Sequence, residues 1–153
     1  MREIKFRGMP FEDIDFDEID VHIKDYEFVY GNLIVDGNKA FIVNGIVECS
    51  EDNLQLEQWI RVRPETVGQY VGLNDKNGKE IFEGDLIKIN NEEIPVEFDG
   101  YEVLFERGTF LYVYSTCDDT FGQDGFLYHL INDDDVIEVI GNIHNKGNDK
   151  NES

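Results

Sequence analysis

The sequence predicts a mainly β protein built from two small antiparallel β units, with one short helix. β-branched and aromatic residues recur in short apolar runs, and residues that favour turns separate these runs. A single later segment has its apolar residues at helical spacing. A chain of 153 residues is long enough for one ordinary domain or two small ones.

The first strand is expected at residues 4–7, where apolar and basic side chains alternate. Residues 12–20 then carry six acids among nine residues, with Ile14, Phe16 and Ile19 between them. This composition favours a loop held by apolar anchors.

The strongest local pattern in the first half is a hairpin. Two apolar runs, at residues 28–35 and 40–43, flank the turn residues Asp36, Gly37 and Asn38. Asp-Gly between two apolar runs predicts a type I′ turn, because both residues tolerate the positive φ that this turn needs.

Another strand is expected at residues 54–63, and it ends before Pro64 because proline cannot donate a hydrogen bond to a sheet. Turn residues are dense soon afterwards, which indicates the joint between the two halves. The predicted division is an N-terminal β domain at residues 1–66, a turn-rich connecting segment at 67–78, a C-terminal small β barrel at 79–145 and a flexible tail at 146–153.

The second unit is predicted to contain five short strands, at residues 86–89, 94–98, 101–105, 109–114 and 136–140. Turns are expected at residues 99–100 and 106–108. This strand spacing favours a small antiparallel barrel, and we expect an SH3-like one. The short helix is predicted by the helical spacing of Phe126, Leu127, Leu130 and Ile131.

The charge of the chain limits its partners. With 34 acidic and 13 basic residues, the formal net charge is −21, which repels phosphate backbones and anionic membrane surfaces. We therefore expect no direct nucleic-acid partner and no membrane. Two cysteines make no disulfide framework, and no apolar run has the length of a signal peptide or a membrane span, so a cytoplasmic location is expected.

Metal-binding patterns are weak. His22, His129 and His144 are widely separated, without the clustered nitrogen and sulfur ligands of a zinc site. The acidic runs at residues 13–17 and 133–135 lack the glycine and distal glutamate of a calcium-binding loop. We assign no metal ligand and no cofactor.

Nucleophile patterns are weak as well. Ser50 and Ser115 lack the glycine-flanked elbow of hydrolases, and Cys49 and Cys117 have no base beside them in the sequence. The glycines of residues 72–84 do not have the spacing of a phosphate loop. We assign no catalytic and no cofactor-binding residue.

Three stretches resemble the YopX family of phage and prophage proteins. They are REIKFR at residues 2–7, QYVGL at 69–73 continuing as DKNGKEIFEGD at 75–85, and IEVIGNI at 137–143. The resemblance implies a phage or prophage origin and a β-rich fold. It implies no activity, so no catalytic residue is carried over to this chain. Residues 11–56 contain no motif of the resemblance.

Five residues of the central stretch form a predicted structural turn motif, and their roles need no chemistry: Gly72, Asp75, Gly78, Gly84 and Asp85. The glycines supply the backbone freedom that turns require. The carboxylate of Asp85 is expected to bond nearby backbone amides.

Three functions of different classes follow. The first is a non-enzymatic accessory protein that contacts other proteins, with an unidentified protein partner and a homo-oligomer expected from its many sheet edges. The second is an acidic decoy that imitates DNA and occupies a host nucleic-acid-binding protein. The third is a hydrolase in which distant carboxylates converge on a divalent metal.

Overall fold

Antiparallel strands build both halves of the chain. The computed structural model describes residues 1–17, 19–93, 98–116, 125–126 and 135–145. Two units meet in the sequence between Gln69 and Tyr70. This boundary lies within the segment 67–78, which also contains a strand, Gly68–Asn74.

The first unit contains seven strands, the last of which crosses the boundary. They are β1 Phe6–Gly8, β2 Ile14–Phe16, β3 Val21–Ile23, β4 Val29–Asp36, β5 Lys39–Cys49, β6 Leu54–Val62 and β7 Gly68–Asn74, with a 3₁₀ turn at Pro64–Thr66. Five strands pair in the order β6-β5-β4-β1-β7, while β2 and β3 pair with each other.

One face of this sheet carries the core of the first unit. Its buried members are Val29, Ala40, Ile42, Ile60 and Val62. On β5 and β6 they lie two residues apart, at 40 and 42 and at 60 and 62, because successive side chains of a strand point to opposite faces. Each of the valine and isoleucine side chains contributes about 1.5–3 kcal/mol when it leaves water.

The predicted hairpin is confirmed, with a different turn. Asp36 pairs with Lys39, so Gly37 and Asn38 are the two central residues. Gly37 has a φ of 59°, and Asn38 is not among the residues with positive φ. A type I′ turn needs positive φ at both positions, whereas type II′ needs it only at the first. The predicted type I′ turn is therefore wrong, and glycine occupies the single position that demands freedom.

The prediction of a loop at residues 12–20 is wrong for Ile14–Phe16, which form β2 and pair with β3, whereas residues 17, 19 and 20 belong to the turn between the two strands. Ile14 and Ile23 are cross-strand partners, and both pack against the core of the first unit. The carboxylates occupy the alternate positions and lie in solvent. The apolar anchoring that the sequence indicated is thus provided by strand residues.

The second unit continues from β7 into six more strands. They are β8 Glu80–Phe82, β9 Asp85–Ile89, β10 Phe98–Glu106, β11 Thr109–Thr116, β12 Gly125–Phe126 and β13 Ile137–Asn142. β8 pairs with β7, and the others pair in the order β12-β11-β10-β9-β13. Its core consists of Ile81, Ile87, Ile89, Val103 and Ile137.

Several expectations for the second unit change. Asp99 and Gly100 lie within β10 at a register shift, so the predicted turn at 99–100 is wrong. A two-residue loop at Arg107 and Gly108, both with positive φ, joins β10 to β11. In the part of the chain that the structure describes, no pairing of β12 with β13 closes the sheet, so the SH3-like barrel is not confirmed.

Some expectations lie outside the described residues. They include most of the predicted helix, whose first residue, Phe126, belongs to β12, and also residues 94–97 and the tail at 146–153. Within the described ranges, no helix is long and apolar enough to cross a membrane.

Candidate functional site

Asp75 connects its own turn to a distant strand. Its carboxylate Oδ1 accepts hydrogen bonds from the amides of Asn77 and Lys79, at 2.8 and 2.9 Å. Its Oδ2 accepts a third from the amide of Val139 at 3.0 Å. Burial raises the pKa of Asp75, but these three amides and the charge of Lys79 lower it more, so the pKa lies below its ordinary value. The charged carboxylate is thereby held in place.

Asp85 has a similar structural role at the next turn. Its side chain is 1% exposed, and Oδ2 accepts a 2.8 Å hydrogen bond from the amide of Phe82. Gly84, with a φ of 89°, donates its amide to the carbonyl of Val103 and accepts from the amide of Ile143. The turn is thus bonded to two other segments of the second unit.

The two remaining glycines of the turn motif differ in position. Gly78 has a φ of 80° and lies in the turn that Asp75 bridges, where its amide donates to the carbonyl of Asp75. Gly72 has a φ of 90° but lies inside β7, where the register shifts between Tyr70 and Asn74. It serves an irregular strand position rather than a turn.

A charged triplet lies next to this motif. Glu138 on β13 forms ion pairs with Lys76 at 3.0 Å and with Lys88 at 3.1 Å through the same oxygen. The two lysines lower the pKa of Glu138. The carboxylate of Asp75 accepts hydrogen bonds from backbone amides, and that of Glu138 pairs with two lysines. These contacts give the motif a structural role.

The first unit contains a groove along β6, which we call the β6 groove. It has a volume of about 640 Å³ and is lined by residues 56–61 on one side and by Phe11, Glu12, Ile14 and Phe16 on the other. Neighbouring side chains of a strand point to opposite faces. A groove lined by six consecutive residues of β6 therefore runs along the edge of the strand, not over one of its faces.

One end of the β6 groove is closed by the chain itself. The amide of Phe11 donates to the carbonyl of Arg61 at 3.3 Å, and the amide of Arg63 donates to the carbonyl of Met9 at 2.9 Å. The guanidinium of Arg61 also lies 4.6 Å from the centre of the Phe11 ring. Residues 9–11 thus cover the last part of the β6 edge and leave the earlier part facing the groove.

Trp59 is the feature that our sequence reasoning missed. It is the single tryptophan of the chain, lies on β6 and is 64% exposed. The usable signal was its position, since Trp59 alternates with Glu57 and Arg61 on the polar side of a strand whose other side carries Leu56 and Ile60.

A family profile described as YopX protein matches residues 24–148. The chain belongs to the YopX family. The matched region contains the central and closing stretches on which the resemblance was based, and it begins after the opening stretch at residues 2–7. It also includes residues 24–56, which contain no motif of the resemblance.

Two further comparisons concern this YopX-family chain. No curated protein matches its sequence. The crystal structure of protein EF1440 from Enterococcus faecalis is similar, with a TM-score of 0.49 and 20% sequence identity, covering 96% of this chain and 97% of that one.

In this YopX-family chain, His22 lies on β3, and its two ring nitrogens face Asp15 at 2.7 Å and Asp20 at 3.2 Å. These hydrogen bonds raise the pKa of His22. Cys49 is exposed and free at the end of β5. Among the described residues, which exclude His129 and Cys117, no three His, Cys, Asp or Glu side chains are grouped to hold a metal ion.

Proposed function

We propose that this YopX-family chain is a phage or prophage accessory protein that acts in the bacterial cytoplasm by binding other proteins. The observation that carries the proposal is the exposure of Trp59 on a rigid sheet. A tryptophan that is 64% exposed costs free energy in the isolated protein and yields it when a partner covers the ring.

Trp59 has apolar neighbours on the same face of the sheet. Its ring meets that of Phe41 edge-on, with centroids 6.0 Å apart, and Ile34 is the cross-strand partner of Phe41. We call Ile34, Phe41 and Trp59 the Trp59 surface. Aromatic side chains held by strands keep little conformational freedom to lose on binding, which favours their use as anchors in an interface.

Further apolar side chains are exposed at the distal end of the β5–β6 hairpin. Ile46, Val47 and Leu54 are each more than half exposed. Exposed apolar residues close together indicate an interaction surface more often than single ones do. They extend the area that a protein partner could cover.

The partner can be a host protein or a second copy of the chain. A second copy would pair free sheet edges, which is a common way for small β proteins to protect them. Two copies would bring together two net charges of −21, and this repulsion favours a partner that is less acidic.

The test is affinity capture from lysogenic or infected cells, with light scattering at micromolar concentration. We expect proteins that bind the wild type to be lost with Trp59→Ser and retained with Tyr26→Ser, which removes another exposed aromatic ring far along the sequence. A strict monomer that captures no protein would contradict the proposal.

The acidic decoy and the metal-dependent hydrolase stay predictions. The decoy is supported by the net charge of −21. The hydrolase needs converging carboxylates, whereas the buried carboxylates of Asp75 and Asp85 accept from backbone amides.

A further inference from the structure

We infer that the β6 groove binds an extended peptide segment that carries basic and apolar residues, by adding it as a strand to the free edge of β6. The inference rests on the proposed function and names the class of partner and the way it binds. Three observations carry it: the direction of backbone groups along β6, the charge of the two walls, and the aromatic and aliphatic lining.

The backbone of β6 presents hydrogen-bonding groups to the groove. Arg61 and Arg63 bond to residues 9–11 on the side away from β5. Backbone groups of a strand alternate between its two edges, so Glu57 and Trp59 direct theirs to the same side. Among the described residues, no segment of the chain bonds to the backbones of Glu57 and Trp59 on that side.

An unpaired edge of this kind is the feature that strand addition uses. Main-chain hydrogen bonds supply affinity, and alternate side chains supply specificity. Residues 56–60, which residues 9–11 leave uncovered, span about 16 Å at about 3.3 Å per residue, which corresponds to a partner segment of about five to six residues.

The walls of the groove select the charge of that segment. Residues 11–20, which include one wall, contain six acids, and residues 48–60, which include the other, contain four. Neither range contains a lysine or an arginine. Arg61, at the closed end, lies against the Phe11 ring. Lysine or arginine side chains of the partner would therefore meet Glu12 and Glu57, the two carboxylates of the groove lining.

The lining also accepts apolar side chains. Leu56 and Ile60 lie on one side of β6 and Trp59 on the other, while Ile14 and Phe16 line the opposite wall. A strand placed along β6 would direct alternate side chains to these two sides. A segment with alternating apolar and basic residues matches both the apolar lining and the acidic charge of the groove. A second copy of this acidic chain would match only the apolar lining.

The test uses a six-residue peptide of alternating valine and lysine, acetylated and amidated at its ends. Trp59 is the single tryptophan and lines the groove, so its fluorescence reports occupancy directly. We expect a saturable change in Trp59 fluorescence as peptide is added, and the affinity should fall as salt is added. Alternating valine and glutamate should give no saturable change.

Two further probes separate strand addition from simple attraction. N-methylation of alternate residues of the valine–lysine peptide removes its donors on one edge and should weaken binding about tenfold. Glu57→Pro removes a groove-facing donor and should weaken binding similarly, because proline is tolerated on an edge strand but cannot donate. Glu57→Gln removes only the charge and should cost less.

Gln55→Pro is the matched control. Gln55 has the same orientation on β6 as Glu57 but is not one of the lining residues, so binding should be unchanged. Circular dichroism of each variant checks that the sheet is retained.

Several results would overturn the inference. They are the absence of a saturable change with the lysine peptide, equal affinity of its N-methylated form, and equal affinity of the glutamate peptide. A dimer that dissociates in Glu57→Pro, with no response to peptide, would assign the edge to a second copy instead. Loss of captured proteins with Trp59→Ser, despite failure of the peptide, would leave the proposed function standing and reject only this inference.

Discussion

The carboxylate of Asp75 accepts a hydrogen bond of 3.0 Å from the backbone amide of Val139, which lies 64 residues later in the sequence. With its two other oxygen contacts, to the amides of Asn77 and Lys79, the same carboxylate closes a turn and fastens the last described strand. Charged acceptors make stronger hydrogen bonds with amides than neutral ones do. Asp75 is therefore expected to matter to the stability of the second unit.

Replacing Asp75 with Asn should lower the free energy of unfolding by about 1–3 kcal/mol. The amide oxygen of Asn can serve Asn77 and Lys79, but its NH₂ group would then face the amide of Val139, leaving a buried donor without an acceptor. Urea denaturation followed by circular dichroism measures the change. Asp52→Asn, at an exposed position, should have little effect; equal stability of both variants would show that the Val139 contact is dispensable.

The unfolding free energies of the wild type and of Asp75→Asn should also depend differently on pH. The pKa of Asp75 is lowered on folding from an ordinary value of 3.8, so the unfolded chain takes up its proton first as pH falls. The stability that Asp75 contributes is present above pH 3.8 and is lost as pH falls through its folded pKa. The difference in unfolding free energy between wild type and Asp75→Asn should therefore narrow at acidic pH. A constant difference would count against a charged Asp75.

His22 should titrate above the ordinary histidine value of 6.5, because hydrogen bonds to Asp15 and Asp20 stabilise its protonated form. A raised folded pKa means that its contribution to stability is present below pH 6.5 and is lost as pH rises through the folded pKa. An NMR titration of the ring protons measures the midpoint. Asp15→Asn should move it downward.

Asp13→Asn serves as the control for this titration. It removes a carboxylate from the same hairpin, but Asp13 bonds Lys24 and the amide of Asp25 rather than His22. A midpoint equally sensitive to both substitutions would indicate general charge effects instead of the His22–Asp15 hydrogen bond.

Gly8→Ala should destabilise the first unit by about 1–3 kcal/mol, the usual cost of overfilling a core. A Cβ at Gly8 would lie 2.8 Å from Cγ2 of Val62, a side chain with 0% exposure that has no room to move. Thermal unfolding by circular dichroism measures the loss. Gly141→Ala, whose Cβ would meet Leu86 at an ordinary 4.0 Å, should be tolerated, and similar losses in both would refute the steric explanation.

Local chemistry explains what could be predicted. The hairpin of β4 and β5 depends on a turn of two residues and on alternation in the flanking runs, and both are readable without tertiary structure. The acid-rich hairpin of β2 and β3 was missed because the count of charges obscured the alternation of Ile14 and Phe16. Those side chains pair with β3 residues, and Ile14 packs against the core.

Features that depend on residues distant in the sequence could not be predicted from local sequence patterns. Positive φ suits Gly100 in a turn or in a strand irregularity, and only the pairing of β10 with β11 decides between them. The same is true of the β6 groove. Residues 54–62 read as a strand, but whether one edge stays free depends on where residues 9–16 lie.

The long sequence separation between Asp75 and Val139 also orders events during synthesis. All described pairings of β1 through β6 are made once the chain has been translated to Gln69, whereas the second unit stays incomplete until Val139 has been added. A nascent chain can thus complete the first sheet while its remaining residues are still being joined.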